Sequence, residues 1–279
     1  QNSGLKRSYK INMKNFLFSF PPFGELHSEM NGMSVPEYRE VNAHIHTPYS
    51  FSAFHDMDAL FRMAKEEEVD VLGINDFFVT DGYDSFHQGC LKNKIFPLFN
   101  IEFIGLMKDE QKKGIRINDP NNPGRIYFCG KGLDYPFHAG FFRKMQLRKV
   151  RSESQNQIRA MIAKLNVLIE KYDPSMKLSY ESVKKEYAID LVRERHLARA
   201  VRMISEKNFK DPEMRIGFIE SLYGGKKSKA DPANPASLEN EIRSNLLKSG
   251  GAAFVAEDER SFLDLETIMK IIINAGGIP

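Results

Sequence analysis

His44 and His46 stand two residues apart in the stretch Asn42-Ala43-His44-Ile45-His46-Thr47-Pro48-Tyr49-Ser50. Side chains at i and i+2 of an extended strand leave the same face, so both imidazoles can be aimed at one cation. Neutral imidazole is the commonest metal ligand in proteins, and the pair reads as part of a metal site. The competing reading of a lone His-x-His is accidental register, and the setting weighs against it. Val41 to Ile45 predicts a short strand that runs into a Thr-Pro-Tyr-Ser turn. Both rings are then left at the strand's C-terminal mouth, where barrel folds keep their chemistry.

The neighbouring elements must hold that mouth in place. Asp58 to Glu68 has helical spacing, with Leu60, Phe61 and Ala64 on one side, and Val69 to Ile74 reads as a buried parallel strand. A second helical stretch, Tyr83 to Asn93, leads to the apolar run Ile95 to Phe103. A polar loop from Lys108 to Gly124 then introduces Arg125 to Cys129. Strands alternating with helices predict an α/β barrel or doubly wound sheet, with Val41, Val71, Ile95 and Arg125 in neighbouring parallel strands. From Phe141 the rhythm becomes helical: Ile158, Met161, Ile162, Leu165, Leu168 and Ile169 form one apolar stripe. Further helices are expected over Tyr180 to Tyr187, with Ser179 as N-cap, over Ile189 to Lys207, over Pro212 to Leu222, and over Phe262 to Asn274 ahead of Gly276-Gly277. The resulting division is an N-terminal extension (1–40), the first part of a barrel (41–140), a helical insert (141–256) and a return to the barrel (257–279).

Composition narrows the classes. A chain of 279 residues that is 42% hydrophobic and 28% charged can bury a sizeable core in one large domain, or in one domain with an insertion. A net charge of +3 is too small to imply a nucleic-acid binder. The basic cluster Arg143, Lys144, Arg148, Lys149 and Arg151 is most simply a solvated helix start, and an oligonucleotide track stays open as the alternative. Cys90 and Cys129, in no ligand-like spacing, are read as ordinary buried thiols of a reducing compartment. No apolar run is long enough for a signal sequence or a bilayer span, so a cytoplasmic chain without a membrane partner is expected. Composition carries no signal of oligomeric state.

Three stretches in order, Asn42 to Ser50, Gly73-Ile74-Asn75-Asp76-Phe77-Phe78-Val79-Thr80-Asp81-Gly82 and Asn100-Ile101-Glu102-Phe103, resemble the first motifs of the PHP (polymerase and histidinol phosphatase) family. Arg195-His196-Leu197-Ala198-Arg199-Ala200 is similar to the Arg-x-His segment in the helical insert of the nucleotide-hydrolysing members. Gly250 to Val255 and Ala275 to Pro279 resemble the stretches that close that insert and re-enter the barrel. The resemblance implies a distorted (β/α)7 barrel with an inserted α-helical subdomain. It also implies two or three divalent ions, zinc, manganese or iron, and hydrolysis of phosphoesters by water activated on those ions. It assigns His44 and His46 as metal ligands and Glu102 as a bridging carboxylate; Asp76 reads as a structural carboxylate at a strand end, with a catalytic or direct ligand role as the alternative. The resemblance further implies that His196, helped by Arg193, Arg195 or Arg199, meets the phosphate of a small phosphorylated substrate; the alternative reading of these residues is a solvated arginine-rich helix face.

The sequence also departs from the family's pattern. Phe51 stands where an Asp or His ligand usually follows the turn, and Phe77 where the second motif usually has His; phenylalanine cannot ligate. Glu194 takes the place of the arginine two before the histidine. Asp81, Asp84 and His87 are near enough to Phe77 in sequence to supply a substitute ligand, although Thr80-Asp81-Gly82 also reads as a turn. His55 and Asp56 read as a helix cap, and His138 as an exposed loop residue. The sequence starts at Gln1 and stops at Ile278-Pro279, where the family's His-Pro and Asp-x-His stretches follow, so further barrel strands are expected beyond Pro279. Two function classes result: a divergent metal-dependent phosphoesterase acting on a nucleotide, oligonucleotide or sugar phosphate, and a PHP-like binding or scaffold domain with little or no catalysis. Hydrolysis of a substrate other than a phosphate is a third, weaker reading.

Overall fold

A computed structural model of the chain describes residues 15–31, 33, 39–50, 54–231 and 234–279. Helix α1 (Phe23–Met30) precedes β1 (Glu40–Ile45), and α2 (Met57–Glu66) follows the histidine turn. Asp56 starts α2 by accepting the Ala59 N–H at 2.7 Å, as the sequence suggests. The helix turns Leu60, Phe61 and Ala64 inward. Next come β2 (Val69–Phe77), α3 (Tyr83–Asn93), β3 (Phe96–Leu106), the short α4 (Lys108–Lys112) and β4 (Arg125–Gly130).

Among the described residues these strands make one sheet in the order β1-β2-β3-β4. β1, β2 and β3 are parallel. β4 runs antiparallel to β3, which corrects the expectation of four parallel strands. A parallel neighbour needs a crossover that carries the chain back to the start of the strand. The 107–124 link instead closes on itself, with Met107 N donating to Gly124 O at 2.8 Å and Gly124 N to Ile115 O at 2.7 Å, and it delivers β4 beside the end of β3 that it left. Beyond the end of β2, Leu106 N donates to Leu263 O at 2.9 Å.

Gly73 shows why β1 and β2 approach so closely. A Cβ there would lie 2.5 Å from the Ala43 carbonyl oxygen. With no side chain in the way, Asn100 Nδ2 donates to that carbonyl at 3.1 Å while Asn100 Oδ1 accepts from Gly132 N at 3.0 Å. One buried amide thus ties β1 to the segment after β4.

Helix α5 (Phe141–Glu170) is followed by α6 (Tyr180–Tyr187), α7 (Glu194–Asn208), α8 (Pro212–Leu222), α9 (Pro235–Ile242) running into a π-helical turn at Arg243–Leu247, and α10 (Leu265–Asn274). Two apolar clusters result. In the first, Ile74, Phe99, Ile101 and Phe103 of the sheet pack with Phe86 of α3 and Ile268 and Ile272 of α10. In the second, the α5 stripe of Ile158, Met161, Leu165 and Ile169 packs with Leu197, Val201, Phe218 and Ile242. Burying each such side chain contributes about 2 kcal/mol.

The helix expected from Ile189 begins only at Glu194, because the residues before it are used differently. Leu191 N donates to Tyr49 O at 3.1 Å, and Val192 N donates to the buried Gln155 Oε1 at 3.0 Å. This extended segment lies against the histidine turn. Arg151 of α5 adds an ionic tie, reaching Asp81 after β2 at 3.3 Å and also pairing with Asp190.

Candidate metal centre

Strand register brings the polar groups together. Phe77 of β2 lies opposite Glu102 of β3, and Cys129 of β4 lies opposite Glu102 on its other side. Two residues back on the same face, Asn75 lies opposite Asn100. β1 supplies His44, and His46 is the residue just after the strand: His44 Nε2 is 3.2 Å and His46 Nε2 3.1 Å from the same oxygen, Glu102 Oε2. Glu102 is buried, while 45% of the His44 side chain is exposed, so the cluster opens to solvent through His44.

Among the described residues, His44, Glu102 and Cys129 offer one donor atom each, all within 4.8 Å of one another. Imidazole nitrogen, carboxylate oxygen and thiolate sulfur make a donor set that suits zinc or another borderline divalent ion. The His44–Glu102 separation is close to the edge of a tetrahedron with bonds of roughly 2.1 Å. By donor chemistry the site fits a metal. His46 shares the Glu102 oxygen with His44, so the carboxylate stands between the two rings.

Burial lowers the pKa of His44; Lys131 and His46 push the same way, and Glu102 opposes them. The ring is thereby kept in the neutral form that ligates. Burial raises the Cys129 thiol, so binding through sulfur would release a proton.

Asn75 occupies the middle of the cluster. Its Nδ2 is 3.0 Å from His44 Nε2, and it donates to Glu102 Oε2 at 3.2 Å and to Cys129 Sγ at 3.4 Å. Its Oδ1 accepts from Lys131 Nζ at 3.0 Å, and Lys131 also donates to Ala43 O at 3.0 Å.

Asp76 is fully buried behind the site. It accepts from Thr47 N at 2.7 Å, Thr47 Oγ1 at 2.5 Å and Ser50 Oγ at 2.6 Å. Burial outweighs these hydrogen bonds and raises its pKa to about 6. Both oxygens are committed to the Thr47–Ser50 turn, and in this arrangement Asp76 positions the segment that carries His46. Phe77, where the family has histidine, stacks on His46 with ring centroids 4.7 Å apart and 13° between planes. The Arg193 guanidinium lies 5.2 Å over the Phe77 ring. Phe51, the other departure, lies outside the described residues.

His196 Nδ1 accepts from Arg193 N at 3.0 Å, which leaves the proton of its neutral ring on Nε2. Burial, reinforced by Arg199, Arg193 and Arg195, lowers its pKa to about 4. It lines a cavity of about 430 Å3 with Arg195, Arg199 and Arg243, to which Pro48, Phe54, Glu186 and Glu239 also contribute. Arg199 also approaches Glu239, at 3.5 Å. Burial opposes ionisation of Glu194, but Arg193 and Lys248 outweigh it and hold its pKa low, and Lys248 Nζ is 3.1 Å away.

The candidate substitute ligands have other partners. Asp81 faces Arg151, Asp84 accepts the Tyr135 hydroxyl at 2.6 Å, and the His87 ring lies 4.7 Å from that of Tyr135. His55 pairs with Asp56, and His138 is exposed. Sequence reasoning missed Asn75, Cys129 and Lys131. Asn75 sits one residue before the acidic position of the second motif, a signal that was available. Cys129 and Lys131 enter through the antiparallel pairing of β4, which no spacing reveals.

The PHP domain family matches this sequence over residues 42–210, and the chain belongs to that family. No curated protein matches it at the sequence level. Among solved structures it is similar to a protein from Bifidobacterium adolescentis described as a metal-dependent phosphoesterase, with a TM-score of 0.55 and 11% identity over 88% of this chain and 66% of that one. It is also similar to an amidohydrolase from Chromobacterium violaceum, solved with bound sulfate and no metal, with a TM-score of 0.54 and 14% identity over 86% of this chain and 65% of that one. The chain thus spans just under two thirds of the length of these structures, and at such identities the likeness is one of fold. Among the described residues, no helix is long and apolar enough to cross a membrane.

Proposed function

We propose that this chain carries a divergent PHP-type metal-dependent hydrolase whose substrate is a small phosphoester, such as a nucleotide or sugar phosphate. The observation that carries the reading is the meeting of His44 and His46 on one oxygen of the buried Glu102, with Cys129 closing a donor triangle at the mouth of β1 and β3. Zinc, manganese or iron held by these residues would supply Lewis-acid polarisation of a phosphoryl oxygen and activation of water.

The chain's own residues do the rest. Glu102 holds the two imidazoles, and Asp76 holds the turn that carries one of them. Phe77 shields one face of His46 from water. Neutral His196 offers an Nε2–H donor at a cavity whose arginines balance phosphate charge. Arg193, held over Phe77, brings a fixed positive charge to the position where the family's ligand would hold a cation, and so stands in for part of that cation's charge.

A second reading, a PHP-like binding or scaffold domain, is favoured by Phe77 itself and by the Asn75 amide between the donors. The two separate in one experiment. Full chain loaded with zinc or manganese is assayed on a panel of phosphomonoesters and nucleotides beside His46→Ala. Slow turnover abolished in His46→Ala supports the hydrolase, and turnover equal to that variant's leaves the binding domain.

A further inference from the structure

The Asn75 amide has only one orientation that satisfies its neighbours. Lys131 Nζ has donors and no acceptor, so the group facing it at 3.0 Å must be the amide oxygen. The amide nitrogen is thereby turned to His44 Nε2, Glu102 Oε2 and Cys129 Sγ, at 3.0, 3.2 and 3.4 Å. These atoms belong to the three residues that form the one donor triangle found among the described residues. A divalent ion bonded to these donors at roughly 2.0 to 2.3 Å on the side the amide occupies would come into non-bonded conflict with this nitrogen, which sits 3.0 to 3.4 Å from them. Turning the amide over would not admit an ion, because it would point an NH2 at the ammonium. Lys131 itself is fixed by the Ala43 carbonyl.

We propose that Asn75 and Lys131 form a built-in cationic plug in the His44–Glu102–Cys129 triangle, so that a zinc-class ion binds only by displacing the Asn75 amide. This rests on the metal-site reading above and adds to it a competition inside the chain. The plug supplies N–H donors and a nearby positive charge to a carboxylate, an imidazole and a thiol that otherwise face one another. An ion entering the triangle replaces those donors, and the amide swings out. Lys131, left close to the ion, adds repulsion to the exchange. The site is therefore weaker than its donor set alone would make it. Because Cys129 is one of the three donors, the ion that succeeds is one with affinity for sulfur.

Zinc binding to the purified full chain, measured by competition with a chromogenic chelator, tests this directly. Wild type is compared with Asn75→Ala, Lys131→Met and the double variant, with far-ultraviolet circular dichroism as the control for folding. Each single variant is expected to bind zinc at least tenfold more tightly than wild type. The double variant should bind no more than a few-fold tighter than the better single, because the two residues act as one unit. Cobalt(II) gives a second readout: Asn75→Ala should show a near-ultraviolet thiolate-to-cobalt absorption at lower cobalt than wild type, and Asn75→Ala/Cys129→Ser should lack it. Wild type and both single variants binding zinc equally, or the variants more weakly, overturns the plug and leaves the metal reading standing. No zinc binding by any of them removes the metal reading and the plug together. If Asn75→Ala does not fold, Lys131→Met alone decides, since it frees the amide without emptying its place.

Discussion

His46 lies flat against Phe77, ring centroids 4.7 Å apart, at the position where the family's second motif carries another histidine. A ligand position has become a wall: the phenyl ring fixes the imidazole and excludes water from one side of it, but donates nothing to a cation. Phe77→His is expected to return a donor next to His46 and Glu102 and to raise the zinc bound per chain, measured by elemental analysis after dialysis, by up to one ion. A ratio unchanged from wild type would mean that the backbone no longer places this position within reach of a metal.

The pairing of His44 with His46 was open to sequence reading because it depends on a local rule, whereas Glu102 was joined to them by the resemblance to the family's third motif. Alternation carried one residue past β1 puts His44 and His46 on one side, and short parallel strands ending in turns put their C-terminal residues at a common mouth. Helices α3, α6 and α8 were legible to the residue from apolar spacing and from the Ser179 cap. The direction of β4 was not, because nothing within Arg125–Gly130 records that the 107–124 link closes on itself. With that direction unknown, Cys129 remained an ordinary thiol and Lys131 carried no reading. The 189–193 segment was read as helix for a related reason. Its backbone is taken up by Tyr49 and Gln155, partners more than thirty residues away in the chain.

Arg193 is held over Phe77 by geometry that lysine does not reproduce. If its charge faces the phosphoryl group, Arg193→Met should raise KM for a phosphomonoester about tenfold, roughly 1.4 kcal/mol of binding, with Arg193→Lys in between. The capping backbone N–H stays in both variants, so thermal unfolding should move little. Equal KM values in steady-state assays of the three proteins would restrict Arg193 to packing on Phe77.

Asp76 receives three donors, of which the Thr47 N–H cannot rotate away. In Asp76→Asn one oxygen is replaced by an NH2 that must face a donor or leave the turn. A loss of about 2 to 3 kcal/mol in urea unfolding is expected from the buried unsatisfied group. Metal affinity should fall with it, because the turn carries His46. A variant as stable as wild type would show that the turn holds its shape without the carboxylate.

His196 provides a pH signature of the buried basic cavity. Its pKa is lowered to about 4 by burial and by Arg199, Arg193 and Arg195, whereas in the unfolded chain it returns to the ordinary value of 6.5. Between those values the unfolded state binds a proton that the folded state refuses. The stability contributed by neutral His196 is therefore complete above pH 6.5 and is lost as the pH falls towards 4, by at most about 3 kcal/mol. Asp76 titrates in the same window with the opposite sign, since its folded pKa of about 6 makes the chain lose stability as pH rises from 4 to 6. A single acid-unfolding curve would mix the two, and a difference between proteins separates them. His196→Gln keeps an acceptor for the Arg193 N–H and does not titrate, so in urea unfolding at intervals from pH 7 to 4 the free energy of wild type minus that of the variant should decrease as the pH falls. Parallel curves across that range would show that the folded protein accepts the proton on His196 without cost, with water or an anion reaching the cavity to screen its arginines.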